Sequence, residues 1–142
     1  MDIALEQAQA AADRGEVPVG AVLVQKGIIL AKAGNRTLEL HDPSAHAELL
    51  VIREACRSIK SQRLVDCDLY VTLEPCTLCA TAISFARIKR LYFGAEDHKG
   101  GAVSNGVQFY QQTSCHHAPE VYSGMAEKDC SAILKEFFKK RR

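Results

Sequence analysis

Val19-Gly20-Ala21-Val22-Leu23-Val24, then Gln25-Lys26-Gly27, then Ile28-Ile29-Leu30-Ala31-Lys32-Ala33 is the stretch whose reading decides the fold. The first run is continuously apolar, the pattern of a strand covered on both faces. Gln25 to Gly27 supplies a turn and Ile28 to Ala33 a returning strand, so the segment reads as a β-hairpin. On its N-terminal side, Asp2 is expected to cap a helix running to about Arg14, with Gly15 as its stop. Ala4, Ala8, Ala11 and Ala12 share one face of that helix, which predicts close packing.

On the C-terminal side, Gly34 to Pro43 reads as loop, and Ser44 as the N-cap of a helix from about Ala45 to Ile59. Its apolar face includes Leu50, Val51 and Ala55, and His46 and Glu48 fall in its first turn. Leu69-Tyr70-Val71-Thr72 reads as a third strand. Pro75 opens a helix carrying Cys76 and Cys79, and Leu91-Tyr92-Phe93 is a fourth strand. Gly94 to Gly124 is loop-rich, with short strands expected near Gly106 to Tyr110 and near Val121. From Met125 a last helix places Ala126, Cys130, Ile133, Leu134 and Phe137 at helical spacing. This order predicts an α/β fold, a three-layer α/β/α sandwich around a mixed, roughly five-stranded sheet, formed by one domain over residues 1–142.

The totals agree with a single globular domain: 142 residues, 47% hydrophobic and 25% charged. A chain of this length buries roughly 68–70% of its unfolded surface, enough to fold without staples. No apolar run approaches a membrane span, and Met1-Asp2-Ile3-Ala4 lacks the basic and apolar regions of a signal peptide. The six cysteines are not spaced as a disulfide framework, and two belong to a C-x-x-C, which favours a reducing cytoplasm. In that compartment the acceptor pattern Asn35-Arg36-Thr37 carries no weight. The formal net charge of +1 neither demands nor excludes nucleic acid. Its distribution says more: Lys139-Lys140-Arg141-Arg142 follows Phe137-Phe138 directly, though a solvated helix end is the commoner meaning of such a run.

The chemistry is concentrated between His46 and Cys79. His46, Cys76 and Cys79 form a three-ligand set that suits zinc and leaves the fourth tetrahedral position open, as in catalytic rather than structural sites. Cys76 and Cys79 are three apart, so on a helix they share a face. At a helix N-terminus the free N–H groups and the dipole favour the thiolate. Glu48, two residues from His46, does not face it on a regular helix, so it is read as the acid/base beside the metal-bound water rather than as a fourth ligand. Zinc lowers the pKa of bound water to about 7, and the resulting hydroxide attacks C6 of adenine or C4 of cytosine while Glu48 shuttles the proton to the ring and the leaving ammonia.

Taken singly these residues are weak signals. H-x-E followed by P-C-x-x-C, each at an expected helix start, is together the pattern of zinc-dependent nucleobase deaminases. A closed structural site would need a fourth ligand, for which Cys115, His116 and His117 are the C-terminal candidates. Cys56, Cys67 and Cys130 read as buried free thiols.

At these residues the chain resembles the bacterial tRNA-specific adenosine deaminases, a family of cytidine-deaminase-like fold. The resemblance covers nearly the whole chain, through Glu16 to Val22, Asn35-Arg36, His41 to Glu48, Thr72 to Cys76, Gly94-Ala95 with Asp97, and the closing Phe137-Phe138 with its basic tail. It implies a homodimer, with one zinc ion per subunit, that converts the wobble adenosine of a tRNA anticodon stem-loop to inosine. By the same resemblance, His46, Cys76 and Cys79 match zinc ligands and Glu48 the proton shuttle. Asn35 and the Ala47 backbone match the base pocket, and Asp97 a contact to the adjacent substrate strand. Phe138, Arg141 and Arg142 resemble a C-terminal helix that lines flipped bases, in keeping with aromatic and basic readout of single-stranded loops. The chain departs from the family at Leu78, Thr81 and Phe85-Ala86, and Gln111 to His117 matches poorly.

Two rivals share parts of this pattern. A deaminase of free cytidine, deoxycytidylate or guanine would keep the zinc site, but its pocket would have no use for the aromatic and basic C-terminal helix. A zinc-dependent RNA-binding module would keep the cysteines and have no need of Glu48.

Overall fold

The hairpin forms as β1 (Gly20–Gln25) and β2 (Ile28–Gly34), paired antiparallel. Lys26 and Gly27 join them, both with positive φ (50° and 78°), the backbone that a tight two-residue hairpin turn requires. The computed structural model describes residues 1–141.

Around the hairpin lie α1 (Asp2–Asp13), α2 (Ala47–Ile59), β3 (Cys67–Leu73), α3 (Thr77–Phe85), β4 (Arg90–Ala95), a 3-10 turn at Phe109–Gln111, β5 (Glu120–Tyr122) and α4 (Glu127–Lys140). The five strands form one sheet in the order β2-β1-β3-β4-β5. β1 is antiparallel to β2 and β3, whereas β3, β4 and β5 run parallel, so the sheet is mixed as expected. α1 and α4 pack on one face and touch each other; α2 and α3 do the same on the other. The core beneath α2 and α3 is built from alternate strand residues, among them Ala21, Leu23, Leu69, Val71, Leu91 and Phe93, which meet Val51 and Ile83. β5 is only three residues long, and Tyr122 stacks on Tyr92, which stacks on Tyr70, at 5.0 and 4.6 Å.

The small face of α1 explains how a helix lies so close to the hairpin. Ala4, Ala8 and Ala11 are fully buried. A Cβ at Gly20 would collide with the Ala4 carbonyl oxygen and lie 2.5 Å from the Ala8 nitrogen. Both obstacles are backbone, so neither can swing aside. Gly20→Ala is therefore expected to lift α1 off the sheet at a cost of about 3 kcal/mol. In a thermal melt this reads as a fall of roughly 10 °C in Tm; an unchanged Tm would contradict the packing described.

Several elements differ from expectation, among them α3, which starts at Thr77 rather than Pro75, and α4, which starts at Glu127 rather than Met125. Asp2 lies within the first turn of α1, and Met1 is the N-cap. α2 starts at Ala47 rather than Ala45, because Ser44 is occupied elsewhere: its N–H and hydroxyl both donate to Asp42 Oδ1, at 2.9 and 2.7 Å. No strand forms at Gly106 to Tyr110. Gly106 and Gln108 take positive φ (58° and 44°), which breaks extended structure, and Phe109–Gln111 coils into the 3-10 turn.

Candidate metal centre and base pocket

Two helix starts converge at one end of the sheet. His46 is the N-cap of α2 and Cys76 the N-cap of α3, with Cys79 one turn further on and fully buried. His46 is thus the residue before the first helical turn, not within it, and Glu48 alone keeps the first-turn position. The His46 Nδ1 lies 3.5 Å from Cys76 Sγ and 3.4 Å from Cys79 Sγ, and one donor atom from each of the three lies within 4.8 Å of the others. Tetrahedral zinc, with bonds of about 2.0 Å to nitrogen and about 2.3 Å to sulfur, sets such donors about 3.6 Å apart. The donors therefore fit the ion in chemistry and in spacing.

Among the described residues no fourth His, Cys, Asp or Glu joins this group. Two of the candidates for a closed site, Cys115 and His117, are engaged elsewhere. Cys115 Sγ donates to the His117 carbonyl, and the His117 ring pairs with the Ile88 carbonyl at 2.9 Å.

The electrostatics suit a cation. Hydrogen bonds from the Cys79 thiol, the His46 ring and the Cys79 N–H outweigh burial and hold the Cys76 thiol down at about 4. Cys79 is pushed the opposite way by the Cys76 sulfur beside it, and by burial. The His46 imidazole is raised, chiefly by its hydrogen bond to Cys76. Glu48 is 4% exposed. Burial pushes its carboxyl up to about 7, the range in which a carboxyl can both take and return a proton near neutrality.

Asn35 lies directly after β2. Its side-chain Oδ1 accepts the Ala47 N–H at 2.8 Å, tying the loop to the first residue of α2 between His46 and Glu48. Arg14 Nη2 donates to the Asn35 carbonyl at 3.1 Å.

Asp97 sits on the loop after β4, where its Oδ1 accepts the N–H groups of Lys99 and Gly100 at 3.1 and 2.9 Å. Phe138 is exposed near the end of α4 and packs edge-on against Phe137. Arg141 stacks over the Phe137 ring, 4.4 Å from its centroid, and Nη2 donates to the Gly15 carbonyl at 3.3 Å. The structure thus gathers His46, Ala47, Glu48, Asn35, Cys76 and Cys79 in one place. Phe138 and Arg141 belong to the opposite helical layer, and Arg142 lies outside the described residues.

Sequence reasoning gave no role to two buried carboxylates that shape the loops beside the site. Glu16 accepts from the Thr37 hydroxyl and the N–H groups of Leu38 and Glu39. Glu74 accepts from the N–H groups of Asp97, Val103, Ser104 and Asn105 and from the Asn105 side-chain amide. The available signal was an acid set inside an apolar context: Glu16 before Val17-Pro18, and Glu74 between Leu73 and Pro75.

A mixed five-stranded sheet between paired helices, with an imidazole and two thiols presented at two helix starts, defines the nucleobase-deaminase class. The profile of the MafB19-like deaminase family matches residues 1–142. The tRNA-specific adenosine deaminase of Agrobacterium fabrum is 59% identical over 142 residues, covering 100% of this chain and 93% of that protein. The one from Rickettsia bellii is 48% identical over 141 residues, covering 98% and 97%. A solved structure from work on A-to-I editing by tRNA:A34 deaminases at the wobble position superposes with a TM-score of 0.93 at 60% identity. It covers 94% of this chain and 97% of its own. The chain belongs to the MafB19-like deaminase family, among the tRNA-specific adenosine deaminases.

Proposed function

We infer that this protein is a hydrolase that converts adenosine to inosine at the wobble position of a tRNA anticodon loop, with residues 1–142 acting as one zinc-dependent deaminase domain. The observation that carries the reading is the joint presence of full-length relatives of that activity and a buried carboxyl beside an open three-donor site.

His46, Cys76 and Cys79 are the residues that would hold one zinc ion per subunit. Bound there, zinc would acidify a water toward a pKa of about 7 and so make the nucleophile available at neutral pH. Glu48 would carry one water proton to the adenine ring, where inosine keeps it on N1, and a second from the new C6 hydroxyl to the amine, which leaves as ammonia. Water and adenosine thus give inosine and ammonia without a redox partner. Asn35 and the Ala47 backbone orient the base, Asp97 meets the strand beside it, and Phe138, Arg141 and Arg142 receive the neighbouring bases and phosphates. A homodimer is supported by α3, where Leu78 and Phe85, seven apart on one face, are 48% and 69% exposed. The free cysteines support a cytoplasmic setting. No described helix is long and apolar enough to cross a membrane.

Stripping the protein with a chelator is expected to abolish inosine formation in an anticodon stem-loop, and adding back Zn2+ to restore it with one ion bound per chain. Full activity after complete metal removal would refute the zinc assignment. Turnover of free guanine or cytidine in place of the stem-loop would move the protein to the small-molecule deaminases.

A further inference from the structure

Two arginines from different elements hold consecutive parts of one turn beside the base pocket. Arg141, at the end of α4, donates to the carbonyl of Gly15, whose φ of +84° makes the turn that ends α1. The residue before it, Arg14, donates to the carbonyl of Asn35. Asn35 in turn is fixed by its own N–H, which donates to Val19, and by its Oδ1, which accepts from Ala47. An unbroken series of contacts therefore runs from the C-terminal helix through Gly15 and Arg14 to Asn35 and the start of α2. The series crosses from the α1/α4 layer to the start of α2, in the other layer, past the end of the edge strand β2.

Arg14 is exposed, so no burial requires it; its guanidinium donates to the Asn35 carbonyl and lies near enough to Glu39 to lower that carboxyl. A charged donor on a carbonyl is worth more than a neutral one, and it limits how far the Asn35 backbone can rotate. Because Oδ1 of that same residue holds Ala47, a rotation at Asn35 moves the pocket wall and the Ala47 backbone together. Small displacements of positioning groups are amplified in rate, because reaction depends on near-attack geometry.

We propose that Arg14 is a positioning residue for the deamination site: it fixes Asn35, and through it Ala47, while Arg141 fixes the turn that presents Arg14. The proposal rests on the functional reading above.

Amide exchange of Ala47 by NMR and steady-state kinetics on an anticodon stem-loop test it together, using the zinc-loaded protein. Arg14→Ala is expected to speed Ala47 exchange toward the rate of Asn35→Ala and to lower kcat about tenfold, with KM, zinc content and Tm little changed. Arg14→Lys, which keeps a charged donor, is expected to recover most of both. Unchanged Ala47 exchange would overturn the proposal. So would a loss confined to KM with a weaker salt dependence, which would assign Arg14 to the RNA backbone instead. If the wild-type protein leaves the stem-loop unmodified, the wobble reading fails, while the exchange measurement still decides the role of Arg14 without substrate.

Discussion

Glu48→Gln is expected to lower kcat on an anticodon stem-loop by about 10³-fold, because a positioned acid/base contributes roughly 10²–10⁴. Glutamine keeps the volume of the side chain and cannot exchange a proton, so the substitution separates chemistry from packing. Zinc content should be unchanged, since Glu48 is not among the clustered donors. The metal-free protein gives a second readout. Burial raises the folded pKa of Glu48 to about 7, above its ordinary value of 4.5. The folded state then binds more protons than the unfolded one between those values, so Glu48 makes stability fall as pH rises through that window. Glu48→Gln removes that component, and its Tm should fall less over the same range. A variant within tenfold of wild-type kcat would show that another group moves the proton.

Glu74→Gln is expected to cost about 3 kcal/mol, seen as a fall of roughly 10 °C in Tm. Glu74 is 2% exposed and its two oxygens accept five hydrogen bonds from the segment between Asp97 and Asn105. A glutamine turns one of those acceptors into a donor, so whichever way it faces, N–H groups meet an NH2. Burial alone would raise the Glu74 carboxyl, but the hydrogen bonds from Asp97, Asn105 and Val103 outweigh it and hold it below 4.5. Its stabilisation is therefore complete above the ordinary carboxylate range and lost as pH falls through the lowered value. The variant should lack that acid limb. The same loop touches the three-donor cluster, since Ala102 N–H donates to the Pro75 carbonyl at 2.9 Å and Gly101 bridges to Cys76. Loosening it should therefore weaken zinc retention as well as stability. A Tm within 2–3 °C of wild type, under about 1 kcal/mol, would contradict this account.

The hairpin, the helices and the deaminase fold were legible because period and punctuation agree: the apolar run at Val19 to Val24, the turn at Lys26-Gly27, and the alanine face of α1. The donor set was legible because H-x-E and P-C-x-x-C are local patterns. What the sequence hid depends on partners distant along the chain. Ser44 looks like a cap until Asp42 captures it, and Asn35 Oδ1 then sets the true start of α2. Gly106 to Tyr110 carries strand-forming residues, but Tyr110 is drawn to the Ala80 carbonyl and the backbone coils to reach it. The apolar neighbours of Glu16 and Glu74 hint at burial, but the N–H groups that each accepts from lie more than 20 residues away in sequence. Arg141 reads as part of a basic tail, and its contact with Gly15 spans nearly the whole chain.

The most direct measurement incubates the zinc-loaded protein with a wobble-adenosine anticodon stem-loop in H2(18)O and locates the product by mass spectrometry. Hydrolytic deamination predicts inosine at the wobble position alone, with one solvent oxygen on C6 and ammonia released in equal amount. Unmodified stem-loop, or inosine carrying no solvent oxygen, would contradict it.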